Sequence, residues 1–305
     1  MGEPEAAAAA VVSRRAALPR LVTTPGELRQ LTARWTGSGQ PVGLVPTMGS
    51  LHAGHLSLVA AAQRDCSKVV VSIFVNPLQF GVGEDYLGYP RQLEADLGLL
   101  AEQGVDVCFC PEVETLYPEG FATKVMVDAG GELWEAERRP GHFAGVATVV
   151  TKLLAATGPC RAYFGEKDAQ QAAVVSRLAR DLDLGAEVSI CPTVRDLDGV
   201  ALSSRNQLLS GPGRRAARCL SQALLEAARQ FSAGVGSGAE LARAAARVID
   251  SEPQAQRDYA GIVNPLDFQP VTVAEGGSRV MVAAEIDGVH LIDTSLLASP
   301  PRPSR

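Results

Sequence analysis

The sequence lacks the features of several classes of protein. No apolar run approaches the roughly 20 residues that a membrane-spanning helix needs. Basic residues are not in excess, since 28 Lys and Arg against 34 Asp and Glu give a formal net charge of −6. The six cysteines include no Cys-x-x-Cys pair, which favours reduced thiols, no zinc site and a cytoplasmic location. We therefore expect neither nucleic acid nor a membrane as a partner.

The length and the two ends suggest how the chain is organised. With 305 residues it can bury one large core or two smaller ones. Acidic residues precede a weakly hydrophobic alanine run and arginines follow it, an order that fits neither a secretory signal nor a transit peptide. We predict a disordered extension over residues 1–20 and a loose proline-rich tail over residues 300–303.

Short apolar runs alternate with longer helix-like segments through the first two-thirds of the chain. The runs are rich in β-branched and aromatic residues, which suits buried parallel strands: 42–45, 69–75, 105–109, 162–164 and 188–191. The segments between them predict helices: 56–64, 92–103, 143–156 and 169–182. Repeated strand–helix–strand units predict a doubly wound α/β fold, whose ligands bind at the carboxyl ends of the strands.

The pattern changes after about residue 193. Two helices are predicted, over residues 214–230 and 239–249, with a Gly/Ser-rich turn between them. Strand-like segments follow: 258–263, 278–286 and 289–297, the last two joined by an Asp-Gly hairpin signal. We predict a larger domain over residues 21–193 and a smaller C-terminal α+β domain over residues 194–305.

The most informative segment is PTMGSLHAGH, residues 46–55, between the first predicted strand and helix. His52 and His55 lie three residues apart and share one face of the first helical turn. Gly49 and Gly54 leave room for a ligand or a neighbouring backbone. The unpaired N–H groups at a helix start favour an anion. We interpret the segment as a triphosphate site.

Two further clusters follow predicted strands. Asn76 and Gln79 present neutral amides to the ligand edge of the sheet, although a polar turn would also explain them. Lys167 lies in FGEKDAQQ and could supply a positive charge to a phosphate, with Asp168 as a helix N-cap. A solvated cap with an exposed lysine is the alternative.

Two more clusters carry cations. Ser203, Ser204 and Arg205 offer a dense set of donors for phosphate oxygens, or they cap a helix. Arg139 lies in RRPGHF, where a cation could meet a carboxylate or phosphate, although an exposed turn explains the segment nearly as well. Three of these four clusters fall at or just beyond strand ends, so the fold would gather them around one cleft.

The motifs together resemble a known family. An HxGH motif at the first strand-to-helix turn with a later Ser-Ser-Arg segment is similar to the adenylylating superfamily that includes class I aminoacyl-tRNA synthetases. Within it, PTMGSLHAGH, SIFVNPLQFG, YPR, RPGHFAGV, FGEKDAQQ and ALSSRN occur in the order found in the pantoate–β-alanine ligase family. The resemblance runs from about Leu21 to the C-terminus. It implies a Rossmann-like N-terminal domain, a small C-terminal lid domain and a homodimer.

The resemblance also implies a reaction and a set of site residues. The reaction is the ATP-dependent condensation of pantoate with β-alanine through a pantoyl adenylate, releasing AMP and pyrophosphate. His55 and His52 would contact the phosphates, with His55 as the proton donor, beside the catalytic donors Lys167, Ser203, Ser204 and Arg205. ATP would contact three segments, namely Met48, Gly49, Ser50, Leu51, His52, Ala53, Gly54 and His55, then Gly165, Glu166, Lys167 and Asp168, and then Val194, Leu202, Ser203, Ser204 and Arg205. Pantoate would bind Gln79 and Gln171, β-alanine would touch Gln79, and Asn76, Tyr89 and Arg139 would make further contacts.

One departure concerns magnesium, the cofactor that ATP implies. Where many members of the family carry paired acids after YPR, this chain has Ala95 followed by Asp96. Asp96 is the candidate metal ligand, but the ion could equally be held by phosphates and water.

Three other functions compete with a ligase. A nucleotidyltransferase of the same superfamily would need a cationic pocket for a phosphorylated acceptor, whereas the acceptor-side residues here are amides. A fragment of a tRNA synthetase would need a basic RNA-binding face. A nucleotide sensor with an inactive site conflicts with intact His52, His55, Lys167 and Arg205.

Overall fold

The computed structural model describes residues 17–81 and 86–298. Most of the predicted N-terminal extension, residues 1–16, and the predicted tail at 300–303 lie outside the described residues. The first strand, β1, spans Arg20–Val22. It includes Arg20, which was the last residue of the predicted disordered extension.

A six-stranded parallel sheet forms the larger part of the molecule. Its strand order is β1-β4-β3-β2-β5-β6. The other strands are β2 (Val42–Thr47), β3 (Lys68–Ile73), β4 (Val107–Phe109), β5 (Cys160–Gly165) and β6 (Ala186–Cys191). All the strands predicted in this region are present, and the predicted doubly wound α/β fold is confirmed. The order reverses between β2 and β5, because β2 pairs with β3 on one side and with β5 on the other.

Helices pack on both faces of this sheet. They are α1 (Pro25–Gly37), α2 (Ala53–Asp65), α3 (Leu93–Glu102), α4 (Val113–Leu116), α5 (Glu135–Arg138), α6 (His142–Thr157) and α7 (Ala169–Asp181). Leu28 of α1 and Leu154 of α6 are fully buried in one core, and Leu58 of α2 and Leu100 of α3 pack in a second. Helix α1 was not predicted, although Thr24 caps it by accepting a hydrogen bond from Glu27 N and Pro25 opens its first turn.

The C-terminal region is a small α+β unit. It contains α8 (Gly211–Ala216), α9 (Arg218–Ser232), α10 (Gly238–Asp250) and an antiparallel sheet of β7 (Ala255–Val263), β8 (Arg279–Ile286) and β9 (Val289–Leu296). The hairpin prediction is confirmed, because Asp287 and Gly288 have φ of 54° and 74°. The single helix predicted over residues 214–230 is wrong at its start, since Ala217 separates α8 from α9.

Ion pairs and hydrogen bonds join this unit to the larger sheet. Arg279 of β8 lies 3.0 Å from the Glu166 carboxylate, and the Trp134 indole N–H donates to the Phe268 carbonyl at 2.9 Å. Arg195, just after β6, forms a two-point ion pair with buried Asp293 at 2.6 and 2.9 Å. The domain boundary at 193/194 stays a prediction. Within the described residues, no helix has both the length and the apolar content that crossing a bilayer requires.

Candidate active site

A cleft with a cavity of about 230 Å³ lies at the carboxyl ends of the parallel strands. It is the region where doubly wound sheets bind ligands. Predicted site residues from every motif line it: Met48, His52, Gly54, His55, Gln79, Tyr89, Arg139, Gly165, Lys167, Asp168, Gln171, Val194, Leu202, Ser203, Ser204 and Arg205. Seven other predicted residues do not: Gly49, Ser50, Leu51, Ala53, Asn76, Asp96 and Glu166.

The histidine pair stands at the start of α2. His52 is the N-cap, and its Nδ1 accepts a hydrogen bond from Gly54 N at 3.1 Å. The His52 and His55 rings lie 4.0 Å apart between centroids. A side chain at Gly54 would collide with the His52 ring, which explains the glycine between the histidines. Because Nδ1 of His52 accepts, its proton in the neutral form sits on Nε2.

The cleft keeps both imidazoles neutral at pH 7. Burial, with a smaller contribution from the charge on Lys167, lowers the pKa of His52 to about 4. Burial, followed by the neighbouring His52 and Lys167, lowers the pKa of His55 to about 3. The Nδ1 atom of His55 is buried and has no hydrogen-bond partner among the described residues. Each ring can therefore donate one hydrogen bond to an anion without adding a net charge.

The opposite wall supplies the cations and hydroxyls. Lys167 follows β5 in a 3₁₀ turn, with its ammonium 3.4 Å from the Asp168 carboxylate. Ser203 caps the next 3₁₀ turn by accepting from Arg205 N at 3.3 Å. The buried Ser204 hydroxyl donates to the Ser50 carbonyl at 3.3 Å, so this turn is tied to the histidine loop.

Two predicted ATP residues, Val194 and Leu202, lie side by side. Leu202 N donates to the Val194 carbonyl at 3.0 Å, which closes the loop between them. Glu166 instead points away from the cleft and pairs with Arg279. Its side chain therefore connects the two parts of the molecule.

The predicted acid-binding side of the cleft is built around Gln79. Its amide N–H donates to the Met48 sulfur at 2.9 Å, and its Oε1 accepts from the Asn76 amide at 3.0 Å. Asn76 is buried, and its Oδ1 accepts from the Tyr117 hydroxyl at 2.8 Å. Asn76 thus holds the Gln79 side chain in place. The side-chain oxygen of Asn76 already accepts hydrogen bonds within the protein.

Asp96 likewise holds a neighbouring segment of the site in place. Its carboxylate accepts from Ser50 N at 2.9 Å and from Leu51 N at 2.7 Å, and the residue is 2% exposed. These bonds hold the loop between β2 and α2, whose Ser50 has the unusual φ of 52°. Each oxygen accepts one backbone hydrogen bond, and Asp96 is not among the residues that line the cleft, so the metal contact stays a prediction.

The structure adds cleft residues that the sequence analysis did not include. The Nδ1 atom of His142 lies 2.8 Å from the Gln79 carbonyl oxygen, and Nε2 lies 3.0 Å from an Arg139 nitrogen. Thr193 lines the cleft with a buried hydroxyl that has no partner among the described residues. The RPGHF motif was a signal for His142, whereas Thr193 belongs to no recognised motif.

The fold and this cleft define a class of protein. A parallel sheet with an HxGH helix start, facing a lysine and a Ser-Ser-Arg turn across one cavity, is the site of a nucleotide-dependent ligase. Neutral donors and cations converge on a volume suited to a polyphosphate, and amides line the adjacent space.

Comparisons with known proteins identify the family. The family model described as pantoate-beta-alanine ligase matches residues 20–296. The pantothenate synthetase of Rubrobacter xylanophilus is 50% identical over 285 residues, which cover 91% of this chain and 98% of that protein. A crystal structure of pantothenate synthetase from Thermus thermophilus has a TM-score of 0.87 at 49% identity, covering 92% of this chain and 99% of that one. This chain belongs to the pantoate–β-alanine ligase family.

A further solved structure bears on the ligands. The pantoate–β-alanine ligase of Francisella tularensis, described as complexed with beta-gamma ATP and beta-alanine, has a TM-score of 0.75 at 33% identity. The match covers 91% of this chain and 97% of the Francisella tularensis chain. The predicted family and the predicted carbon–nitrogen ligase activity are confirmed, and the competing functions are set aside.

Proposed function

We propose that this cleft condenses pantoate with β-alanine in two steps. The pantoate carboxylate attacks the α-phosphorus of ATP, which forms pantoyl adenylate and expels pyrophosphate. The neutral amine of β-alanine then attacks the acyl carbon, AMP leaves with the electrons of the broken C–O bond, and the new amide nitrogen releases its extra proton to solvent. The observation that carries the proposal is the convergence of His52, His55, Lys167 and Arg205 on one cavity.

The phosphate-binding residues act on the charge that develops in the first step. In the proposal, Nε2–H of His52, a ring N–H of His55, the Lys167 ammonium and the Ser203–Arg205 donors face the phosphoryl oxygens. Donors already fixed by the fold stabilise such charge without reorganising during the reaction. The loops 48–55, 165–168, 194 and 202–205 would hold the nucleotide, and Glu166 would fix one of them through Arg279.

Amides suit the acid-binding side. Gln79 and Gln171 would offer pantoate both donors and acceptors while leaving its carboxylate negative enough to attack. Asn76 would act by fixing Gln79, and Arg139 and Tyr89 would border the acceptor space. Proximity supplies much of the rate of the second step, and exclusion of water by the C-terminal unit would protect the adenylate.

The proposal for magnesium starts from the carboxylates near the cleft. The described residues contain no group of three His, Cys, Asp or Glu side chains placed to hold a metal ion. Asp168 is the one carboxylate among the described residues that line the cavity. We propose that Mg²⁺ enters as part of the MgATP substrate, held by phosphates and water.

The remaining proposals concern the assembly and its location. Residues 121–129 belong to no helix or strand and leave Met126 83% exposed, so a second copy could cover this segment in a homodimer. Light scattering would then give twice the chain mass of 32.0 kDa. Six unpaired cysteines suit a reducing compartment, and we propose a cytoplasmic enzyme.

Exchange of labelled pyrophosphate into ATP tests the proposed reaction. We expect exchange with pantoate and Mg²⁺ in the absence of β-alanine, because the first step is reversible. Arg229→Ala, on the exposed face of α9, is a control that should exchange normally. Absence of pantoate-dependent exchange in the folded enzyme would overturn the adenylate mechanism.

A further inference from the structure

His290 joins the two parts of the molecule through two carboxylates. Its Nε2 lies 2.8 Å from Oε1 of Glu135, which starts α5 beside the large sheet. Its Nδ1 lies 2.7 Å from Oδ2 of Asp258, on β7 of the C-terminal sheet. The imidazole is therefore held between an acid of each part.

Both contacts require a protonated ring. A neutral imidazole carries one N–H, so one of its nitrogens would direct a lone pair at a carboxylate oxygen. Glu135 is ionised here: burial opposes its charge, but hydrogen bonds from His290 and Tyr259 and the charges of His290 and Arg139 lower its pKa to about 2. Arg138 Nε lies 3.6 Å from Oδ1 of Asp258, so this acid has a cation beside it.

The other groups near His290 do not replace this charge. The Tyr259 hydroxyl donates to Oε1 of Glu135 at 2.9 Å. Glu285 stands opposite His290 on β8, and its carboxylate lies 3.4 Å from Arg138. His290 also lines a small cavity with Lys167, Ser203, Arg205 and Asp293, so it stands next to the proposed phosphate side.

Glu135 also contacts Arg139, and through it connects His290 to the cleft. Arg139 N donates to the Glu135 carbonyl at 2.9 Å, and its guanidinium lies 4.0 Å from the Glu135 carboxylate. The same guanidinium contacts His142, which in turn contacts the Gln79 carbonyl. A shift of Glu135 would therefore move the residues that surround the proposed pantoate site.

We propose that His290, as an imidazolium bound to Glu135 and Asp258 at once, is a positioning residue that clamps the C-terminal unit and sets Arg139 and His142 in the cleft. A side chain that donates to only one of the two acids leaves the other carboxylate without its contact. The clamp then opens, and the proposed adenylation step slows. The kinetic consequence rests on the proposed function, whereas the protonation of the ring does not.

Pantoate-dependent pyrophosphate exchange at about pH 7 tests the clamp without the amine of β-alanine. The variants are His290→Gln, with one donating and one accepting end, and His290→Arg, with donors for both acids. Rates and the KM for pantoate are expressed relative to the native enzyme. Glu285→Gln, which changes the opposite residue on β8, is the matched control.

We expect the two variants to differ. His290→Gln should exchange about tenfold more slowly than the native enzyme, mainly through the KM for pantoate. His290→Arg, which can donate to both acids, should keep the native rate. A native rate and KM for His290→Gln would overturn the proposal, as would an equal loss in folded His290→Arg.

Nuclear magnetic resonance of the native enzyme provides an independent readout. The chain has four histidines, so selective ¹⁵N labelling gives a small set of ring signals, and His290→Arg assigns one of them. We expect two ring N–H signals from His290 at about pH 7, because each nitrogen faces a carboxylate oxygen. A single ring N–H would refute the clamp even if His290→Gln fails to fold. Two N–H signals in an enzyme without exchange would instead locate the failure in the proposed function.

Discussion

Asp96 accepts a 2.9 Å hydrogen bond from the backbone N–H of Ser50, a residue held at a φ of 52°. A second bond, from Leu51 N, occupies the other carboxylate oxygen. Left-handed backbone is unfavourable for serine, so the buried carboxylate stabilises a loop that would otherwise relax. The loop leads directly into His52, which makes Asp96 a support of the proposed phosphate site.

The first prediction follows from that support. Asp96→Asn replaces one acceptor by an amide N–H that faces a backbone N–H. We expect the free energy of unfolding to fall by about 1.5–3 kcal/mol and the KM for ATP to rise, with the dependence on Mg²⁺ unchanged. Denaturant unfolding and steady-state kinetics measure these effects, and exposed Glu94→Gln is the control. A large change in the Mg²⁺ requirement would restore Asp96 as a metal ligand.

The second prediction concerns the histidine in the first turn of α2. In the proposed mechanism His55→Ala removes a donor to the phosphoryl oxygens, so pyrophosphate exchange should slow by about 10²–10³ while the protein stays folded. Ser57→Ala lies in the same turn, where its hydroxyl bonds the Gly54 carbonyl, and should keep most of the activity. Near-native exchange by His55→Ala would remove this residue from the mechanism.

Two adjacent glutamines give the third prediction. Gln171 lines the cleft, whereas buried Gln170 accepts from Glu135 N and donates to the carbonyls of Gly130 and Leu133. We expect Gln171→Ala to raise the KM for pantoate with little loss of stability. Gln170→Ala should lower the free energy of unfolding by roughly 1–3 kcal/mol, because it leaves buried backbone groups unpaired. An unchanged KM in Gln171→Ala would contradict its proposed contact.

The fourth prediction is the effect of pH on stability. Burial lowers the pKa of His52 to about 4 and the pKa of His55 to about 3. At a pH between these values and the usual histidine pKa, the two side chains are protonated in the unfolded chain but neutral in the folded protein. These residues should therefore make the folded state less stable as the pH falls from about 6.5 toward 4. Urea midpoints over this range should decline less steeply for the double variant His52→Ala/His55→Ala. Equal slopes for the two proteins would contradict the lowered pKa values.

Most of the fold could be predicted from local sequence patterns. The apolar runs at β2, β3 and β5 indicate buried parallel strands, because their side chains are buried on both faces of the sheet. β1 has three residues with one buried, too short for any period, and it was missed. The break at Ala217 between α8 and α9 has no glycine or proline to mark it, so the helix was predicted as continuous.

The proposed site divides in the same way. The motif around His52 and His55 is readable, because strand, cap and helix start are local features. The close approach of α6 to the Asn76–Gln79 turn cannot be predicted from the sequence. A side chain at Gly145 would overlap the Leu78 carbonyl, but the residues around Gly145 do not indicate which segment packs there.

The amino-acid sequence by itself determined the sheet type, the phosphate-binding motif and the family, since each is written in contiguous residues. Only the tertiary structure decided that Asp96 supports a loop and that His290 meets Glu135, 155 positions away. A carboxylate or an imidazole is chemically the same in every sequence. Its role depends on which donors and charges the folded chain places within hydrogen-bond distance.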